Sequence, residues 1–332
     1  MTSFPGRGES PCDEVLRARV FILYTQGLVP SRTRPARKHV QGSRRVALQP
    51  HLERRIRSKD AQQLSQPERR IPLDLGLKEK VILITGGAEG IGAAISQACI
   101  AEGAVPCIVT RDSEAVQDFA KRLRARCERF ELIAIELGSP QSCQQAVQAA
   151  LQRCHRIDAL VNNAGVNDKV GLEFGSPDEL LVSIQRNLWH YYSMAHYALP
   201  SLKAARGSIV NIASKTAITG QGGTSGYAAA KGGELALTRE WAVELLPYGI
   251  RVNAVVPSEV MTPLYRSWLS TFPDPEHKLR SITAKIPLGQ RMTEPAEIAS
   301  MTLFLLSAQA GHITGQHLYV DGGYVHLDRA ID

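Results

Sequence analysis

Tyr227 and Lys231 stand four residues apart in Tyr227-Ala-Ala-Ala-Lys231. On a helix, positions i and i+4 share a face, so the phenol and the ammonium would project into one space. That pairing suits proton transfer. A phenol ordinarily ionises near pH ~10, so base work near neutrality needs about 4 kcal/mol of preferential phenolate stabilisation, which a neighbouring positive charge can supply. Alone the pattern is weak, because nine tyrosines and lysine at roughly 6% of residues give a chance match in about every second chain. Its bland reading is an exposed tyrosine over a solvated lysine. Ser214 lies 13 residues before Tyr227, at the end of an apolar run, and Asn187 lies 27 before Ser214.

A second chemistry is anion binding. Thr85-Gly-Gly-Ala-Glu-Gly-Ile-Gly92 spaces Gly86, Gly90 and Gly92 as G-x-x-x-G-x-G, not as G-x-G-x-x-G. Glycines before a helix permit a tight turn and let backbone N–H groups approach a pyrophosphate. Asn162-Asn-Ala-Gly165 closes another apolar run. Metal chemistry is not expected. His190 and His196 are six apart, on different helix faces, and Cys154–His155 has no partner pair nearby. The six cysteines form no C-x-x-C pair. Thiols in a reducing compartment, the cytoplasm, are expected.

These residues need a scaffold, and the chain supplies one from residue 77. The apolar runs Lys80–Thr85, Pro106–Thr110, Leu132–Glu136, Ala159–Val161, Ser208–Ile212, Arg251–Val255 and Gln316–Val320 read as strands. Between them lie helical stretches at Gly90–Glu102, Ser113–Arg126, Pro140–Arg153, from after Pro177 to Ala204, and Gly226–Leu246. Strands alternating with helices of this length predict right-handed crossovers in one doubly wound α/β domain of Rossmann type. Its sheet would be parallel, with helices on both faces and an extra C-terminal strand.

The 332 residues, 44% hydrophobic and 21% charged, are ordinary globular composition. No run of 18 apolar residues exists, so no spanning helix is expected. The net charge of +7 is unevenly placed: residues 1–76 hold 15 Lys and Arg against 7 Asp and Glu, and the rest hold 24 against 25. Residues 30–72 carry Arg, Pro, Ser and Gln without an apolar period, which predicts a solvated basic arm or a start assigned upstream of the true one. Val20–Tyr24 is too short for a secretory signal core, and Asp13, Glu14 and Glu53 argue against a mitochondrial leader. The arginines of the arm lack interleaved aromatics, which argues against nucleic acid.

With T-G-x-x-x-G-x-G, N-N-A-G, Ser214, Y-x-x-x-K and Pro257…Thr262-Pro263 in this order, residues 77–332 resemble the short-chain dehydrogenase/reductase family. The resemblance implies Tyr227 as general base and Lys231 as its electrostatic partner and holder of the nicotinamide ribose. It implies Ser214 on the reacting oxygen and Asn187 anchoring a water. Around the dinucleotide it implies Gly86, Gly90, Ile91 and Gly92 at the pyrophosphate and Glu136 and Leu137 near the adenine. Asn163, Ala164 and Gly165 would flank the adenosine ribose, with Val260 and Thr262 at the carboxamide. Two positions depart from the family: Glu136 replaces the usual Asp, and Ser258 the usual Gly. After the second strand, Thr110 stands where a ribose-binding acid would be and Arg111 follows it. That pair favours NADP over NAD.

The residues around the site are polar: Asn167, Asp168, Lys215, Gln221 and Glu259. A buried unmatched polar group costs about 1–3 kcal/mol, so this lining favours a substrate with hydroxyls over a steroid or acyl chain. About half of these groups are expected to serve loop backbone instead. The segments Asn163–Asp168, Arg186–Tyr192, Ser214–Ala217 with Gly220-Gln221, Glu259–Tyr265 and Asp321–Asp328 resemble the bacterial L-fucose dehydrogenase branch of the family. That implies oxidation of the C1 hydroxyl of L-fucose, D-arabinose or L-galactose to a 1,5-lactone by a homotetramer. The alternatives are an NADPH-dependent ketoreductase on an acyl or small carbonyl substrate, and a non-enzymatic nucleotide-sensing or RNA-binding protein. The intact Asn187, Ser214, Tyr227 and Lys231 set argues against the last.

Overall fold

The computed structural model describes residues 74–327; the basic arm up to residue 73 lies outside them. Seven strands form one parallel sheet: β1 (Val81–Thr85), β2 (Val105–Thr110), β3 (Glu131–Ala134), β4 (Ala159–Asn162), β5 (Ser208–Ile212), β6 (Arg251–Pro257) and β7 (His317–Val320). Their order is β3-β2-β1-β4-β5-β6-β7. The chain reverses direction across the sheet between β1 and β4, which makes the carboxyl ends of these two strands the natural ligand crevice.

The strand sequences explain why both sheet faces are covered. In β1, Val81 and Leu83 point into one apolar cluster, with residues of helices α3 (Pro140–Cys154), α5 (His190–Ala205) and α6 (Ser225–Glu244). Ile82 and Ile84 point the other way, towards α1 (Gly90–Ala101) and α9 (Pro295–Leu306). Alternate side chains leave a strand on opposite faces, so a run without polar residues must be buried twice. Helix α2 (Glu114–Ala125) packs Val116, Phe119 and Leu123 against Ile108.

Two expectations needed revision. The third strand ends at Ala134, so Glu136 stands beyond it and is exposed. The long helix after Pro177 is three pieces: α4 (Pro177–Ile184), a π-helical turn over Gln185–Trp189, and α5. Leu75, ahead of β1, packs against the core. Two short helices, α7 (Pro263–Leu269) and α8 (Pro275–Thr283), occupy the insert after β6.

Candidate active site

The glycine turn is built by sterics and by Thr85. The Thr85 hydroxyl accepts from the backbone N–H of Asn163 (2.9 Å) and of Ala164 (3.0 Å), which stitches the end of β1 to the end of β4. Asn163 Nδ2 returns the contact, donating to the carbonyls of Thr85 (3.0 Å) and Gly86 (3.2 Å). A Cβ on Gly92 would stand 2.0 Å from the Gly86 carbonyl oxygen, so only glycine lets α1 start this close to β1. Gly86 and Gly90 take positive φ, 65° and 52°. Glu89 precedes α1 without a side-chain cap, which leaves the first N–H groups of the helix without that partner. An anion of pyrophosphate type suits such a terminus. Thr262 borders the same turn, since a Cβ on Gly90 would meet its side chain at 3.3 Å, and Val260 belongs to the apolar cluster against which Ile91 packs. At the edge of β2, Arg111 is exposed, and Asp112 accepts from Gln117 Nε2 at 2.6 Å. The residues fit a dinucleotide.

The side chains expected to carry the chemistry gather at the carboxyl end of β5 and the start of α6. Ser214 caps the turn Lys215–Ala217, its Oγ accepting from the Thr216 amide (3.3 Å) and hydroxyl (3.0 Å). Tyr227 is the third residue of α6, half-buried, with the Lys231 ammonium 5.6 Å from its ring centroid. Gly226 ahead of it must be small, because a Cβ there would lie 2.5 Å from Ser183 Oγ. Asn187 sits in the π-helical turn, where Oδ1 accepts from Val166 N (2.7 Å) and Nδ2 donates to the Ser183 carbonyl (2.9 Å). Gly165 lies beside both groups: a Cβ there would meet Asn187 Oδ1 at 3.0 Å and Lys231 Nζ at 3.7 Å.

Lys231 is buried, and its partners are unusual. Nζ donates to the Ile212 carbonyl (2.8 Å), to the Tyr191 hydroxyl (3.1 Å) and to both carboxylate oxygens of Glu234 (2.8 and 3.1 Å). Burial acts to lower the pKa of this ammonium, but Glu234, Tyr191 and Tyr227 outweigh it and hold the pKa above the ordinary lysine value. Burial acts to raise the Glu234 pKa, and the Lys231 ammonium, bonded to both carboxylate oxygens, acts to lower it. Neither Tyr191 nor Glu234 was anticipated. The only clue in the sequence was spacing: Glu234 stands one turn beyond Lys231 on the same helix face.

Residues 86–325 match a family model described as enoyl-(acyl carrier protein) reductase. This chain is a short-chain dehydrogenase/reductase. It is 34% identical to a 3-oxoacyl-[acyl-carrier-protein] reductase of Thermotoga maritima over 75% of this chain and 99% of that one. It is 33% identical to a Bos taurus L-fucose dehydrogenase over 74% and 88%. The crystal structure of Cj0485 dehydrogenase superposes with a TM-score of 0.74 at 45% identity, covering 78% of this chain and 99% of that one. Members of this family are NAD(P)-dependent oxidoreductases, and this chain keeps the glycine turn, serine, tyrosine and lysine such chemistry requires.

The five polar residues expected around the substrate take different positions. Lys215 Nζ pairs with Glu259 Oε1, and Glu259 Oε2 accepts from the Tyr265 hydroxyl at 2.8 Å. The Lys215 ammonium also lies 4.2 Å from the Tyr324 ring centroid. This buried polar cluster adjoins Ser214 directly in the chain. Asp168 accepts from Ser183 Oγ (2.8 Å), and Asn167 Oδ1 from the Lys169 amide (3.2 Å), so these two serve the loop. Gln221 is exposed in the segment before α6. Among the described residues no helix is long and apolar enough to cross a membrane, and no group of His, Cys, Asp or Glu is arranged to hold a metal.

Proposed function

We propose that the protein oxidises the C1 hydroxyl of an aldose of L-fucose type, with D-arabinose and L-galactose as congeners, to the 1,5-lactone. The observation that carries this reading is the Lys215–Glu259–Tyr265 cluster beside Ser214. A ring with several hydroxyls can bond to the donor and acceptor capacity this cluster does not use internally, whereas an acyl chain would displace water from it and offer no hydrogen bond in return. The L-fucose dehydrogenase named above supports the same substrate class. The C1 hydroxyl donates to Tyr227, held in place by Ser214. As the C1–O bond becomes a carbonyl, the hydroxyl proton passes to the Tyr227 phenolate oxygen. A nicotinamide cofactor held at the glycine turn would supply the acceptor for the C1 hydride. Lys231, its three N–H groups shared among Ile212, Tyr191 and Glu234, supports the phenolate through space, and Asn187 fixes the backbone of the Gly165 loop beside it. NADP is favoured over NAD, supported by Arg111. The working form is a cytoplasmic homotetramer packed through α5, α6 and the C-terminal strand, supported by exposed Tyr192 on α5, Val243 on α6 and Trp189 in the turn before α5.

A panel of free sugars with NAD⁺ and NADP⁺, read at the absorbance of the reduced cofactor, tests the substrate. L-Fucose should lead. Turnover of a 3-oxoacyl thioester with NADPH and none of any aldose would replace this reading with the ketoreductase one, to which the Thermotoga relative's name points. Tyr227→Phe should lower turnover by at least about 1000-fold while cofactor affinity changes little, because the ring stays and the proton acceptor goes.

A further inference from the structure

Lys231 would serve as the positive partner of Tyr227, yet a buried carboxylate faces the same ammonium. Glu234 has no solvent exposure, and both its oxygens accept from Lys231 Nζ. Its backbone carbonyl accepts from the Thr238 hydroxyl at 2.7 Å, and Thr238 in turn accepts from Asn211 Nδ2 at 2.9 Å, so the turn carrying it is tied to β5. On the other side, Tyr191 donates to the Ile212 carbonyl at 3.0 Å while accepting from Lys231. The ammonium is thus clamped between α6, α5 and the end of β5. A buried ion pair of this kind often gains nothing over apolar residues of similar volume, so packing alone does not account for a carboxylate here.

We propose that Glu234 is a positioning residue for the proton transfer: it fixes where the Lys231 ammonium sits and offsets its charge, which limits how strongly that charge supports the phenolate of Tyr227. The proposal rests on Tyr227 and Lys231 being the base and its partner. The titratable and charged groups around the pair are Tyr227 and Lys231 on α6 and Tyr191 on α5, with His190 also within electrostatic reach of Lys231. Coulomb's law sets the sign. A negative charge beside the ammonium opposes phenolate formation, so removing it should let oxidation begin at lower pH.

The test is the pH dependence of kcat/KM for oxidation of the best substrate. In Glu234→Gln, which keeps an acceptor for Lys231, the acid limb should move to lower pH by about half a unit or more, as for loss of one nearby charge. Glu234→Met, neutral and of similar length, should move it the same way and serves if the Gln variant does not fold. Glu234→Asp, which restores the charge, should leave the limb within about 0.2 pH unit of the wild type even where kcat falls. Superimposable limbs for the wild type and a folded neutral variant overturn the proposal. So does an equal shift in Glu234→Asp, which would trace the effect to packing. Tyr227→Phe is measured in parallel: if it stays active the assignment of the base fails, and if it is inactive while the limbs coincide only the role of Glu234 fails.

Discussion

Arg111 follows the end of β2, exposed and without a carboxylate partner among the described residues, while the neighbouring Asp112 is engaged by Gln117. A guanidinium in that position can pair bidentately with a ribose 2′-phosphate, and Thr110 offers no carboxylate to repel it. Arg111→Ala should therefore weaken NADP⁺ binding by about 10- to 100-fold, the equivalent of about 1.5–3 kcal/mol, and leave NAD⁺ nearly unchanged. Titration calorimetry with both cofactors reads this directly, and a native preference for NAD⁺ of tenfold or more would assign Arg111 to the adenine face or to solvent. At this scale the sequence is legible where spacing alone implies a shared site, as for Tyr227 with Lys231. Glu234 illustrates the limit. A carboxylate three residues from a lysine reads as a surface ion pair worth about 0.3–0.5 kcal/mol, and only burial separates it from one that faces a catalytic group.

At the scale of elements, the glycine turn shows geometry overriding propensity. Gly92 lies in the first turn of α1, where alanine would ordinarily favour the helix by about 1 kcal/mol. A Cβ there would be 2.0 Å from the Gly86 carbonyl and 2.6 Å from Asn163 Nδ2, both held by the turn. Relieving contacts this short means displacing α1 from β1. Gly92→Ala should lower the unfolding free energy by about 2–4 kcal/mol in urea denaturation and abolish measurable cofactor binding. A variant as stable as the wild type would show that α1 shifts freely. The order of strands and helices was legible because unbroken apolar runs alternate with helical stretches. The break at Gln185–Trp189 was not, since a π-helical turn inserts one residue without a glycine or proline to mark it. That turn places Asn187 between α4 and α5, where its side chain can hold Val166 and Ser183 together.

At the scale of the whole domain, one source of acid sensitivity is a residue that the sequence presents as an ordinary helix histidine. His190 is buried at the start of α5, with Nε2 on the Arg186 carbonyl at 2.9 Å and Nδ1 without a partner. The first contact makes Nε2 the protonated nitrogen of a neutral ring. Burial lowers its pKa to about 4, with the Lys231 charge acting in the same direction and the Arg186 carbonyl against it. The folded state therefore refuses a proton that the unfolded chain accepts from about pH 6.5 downward. Stability from this group is complete above about 6.5 and is lost at about 1.4 kcal/mol per pH unit towards 4. His317, also shifted down by burial, adds a slope of the same sign, and Glu234, shifted up, one of the opposite sign. Glu297, lowered to about 2 by its hydrogen bonds to Arg291, acts only below that window. A difference measurement isolates the histidine. His190→Gln, with an amide that can still donate to Arg186, should lose less stability than the wild type between pH 6.5 and 5, by about 2 kcal/mol in urea midpoints converted to free energy. Parallel curves for the two proteins would mean that His190 takes up its proton in the folded state and that acid sensitivity arises elsewhere.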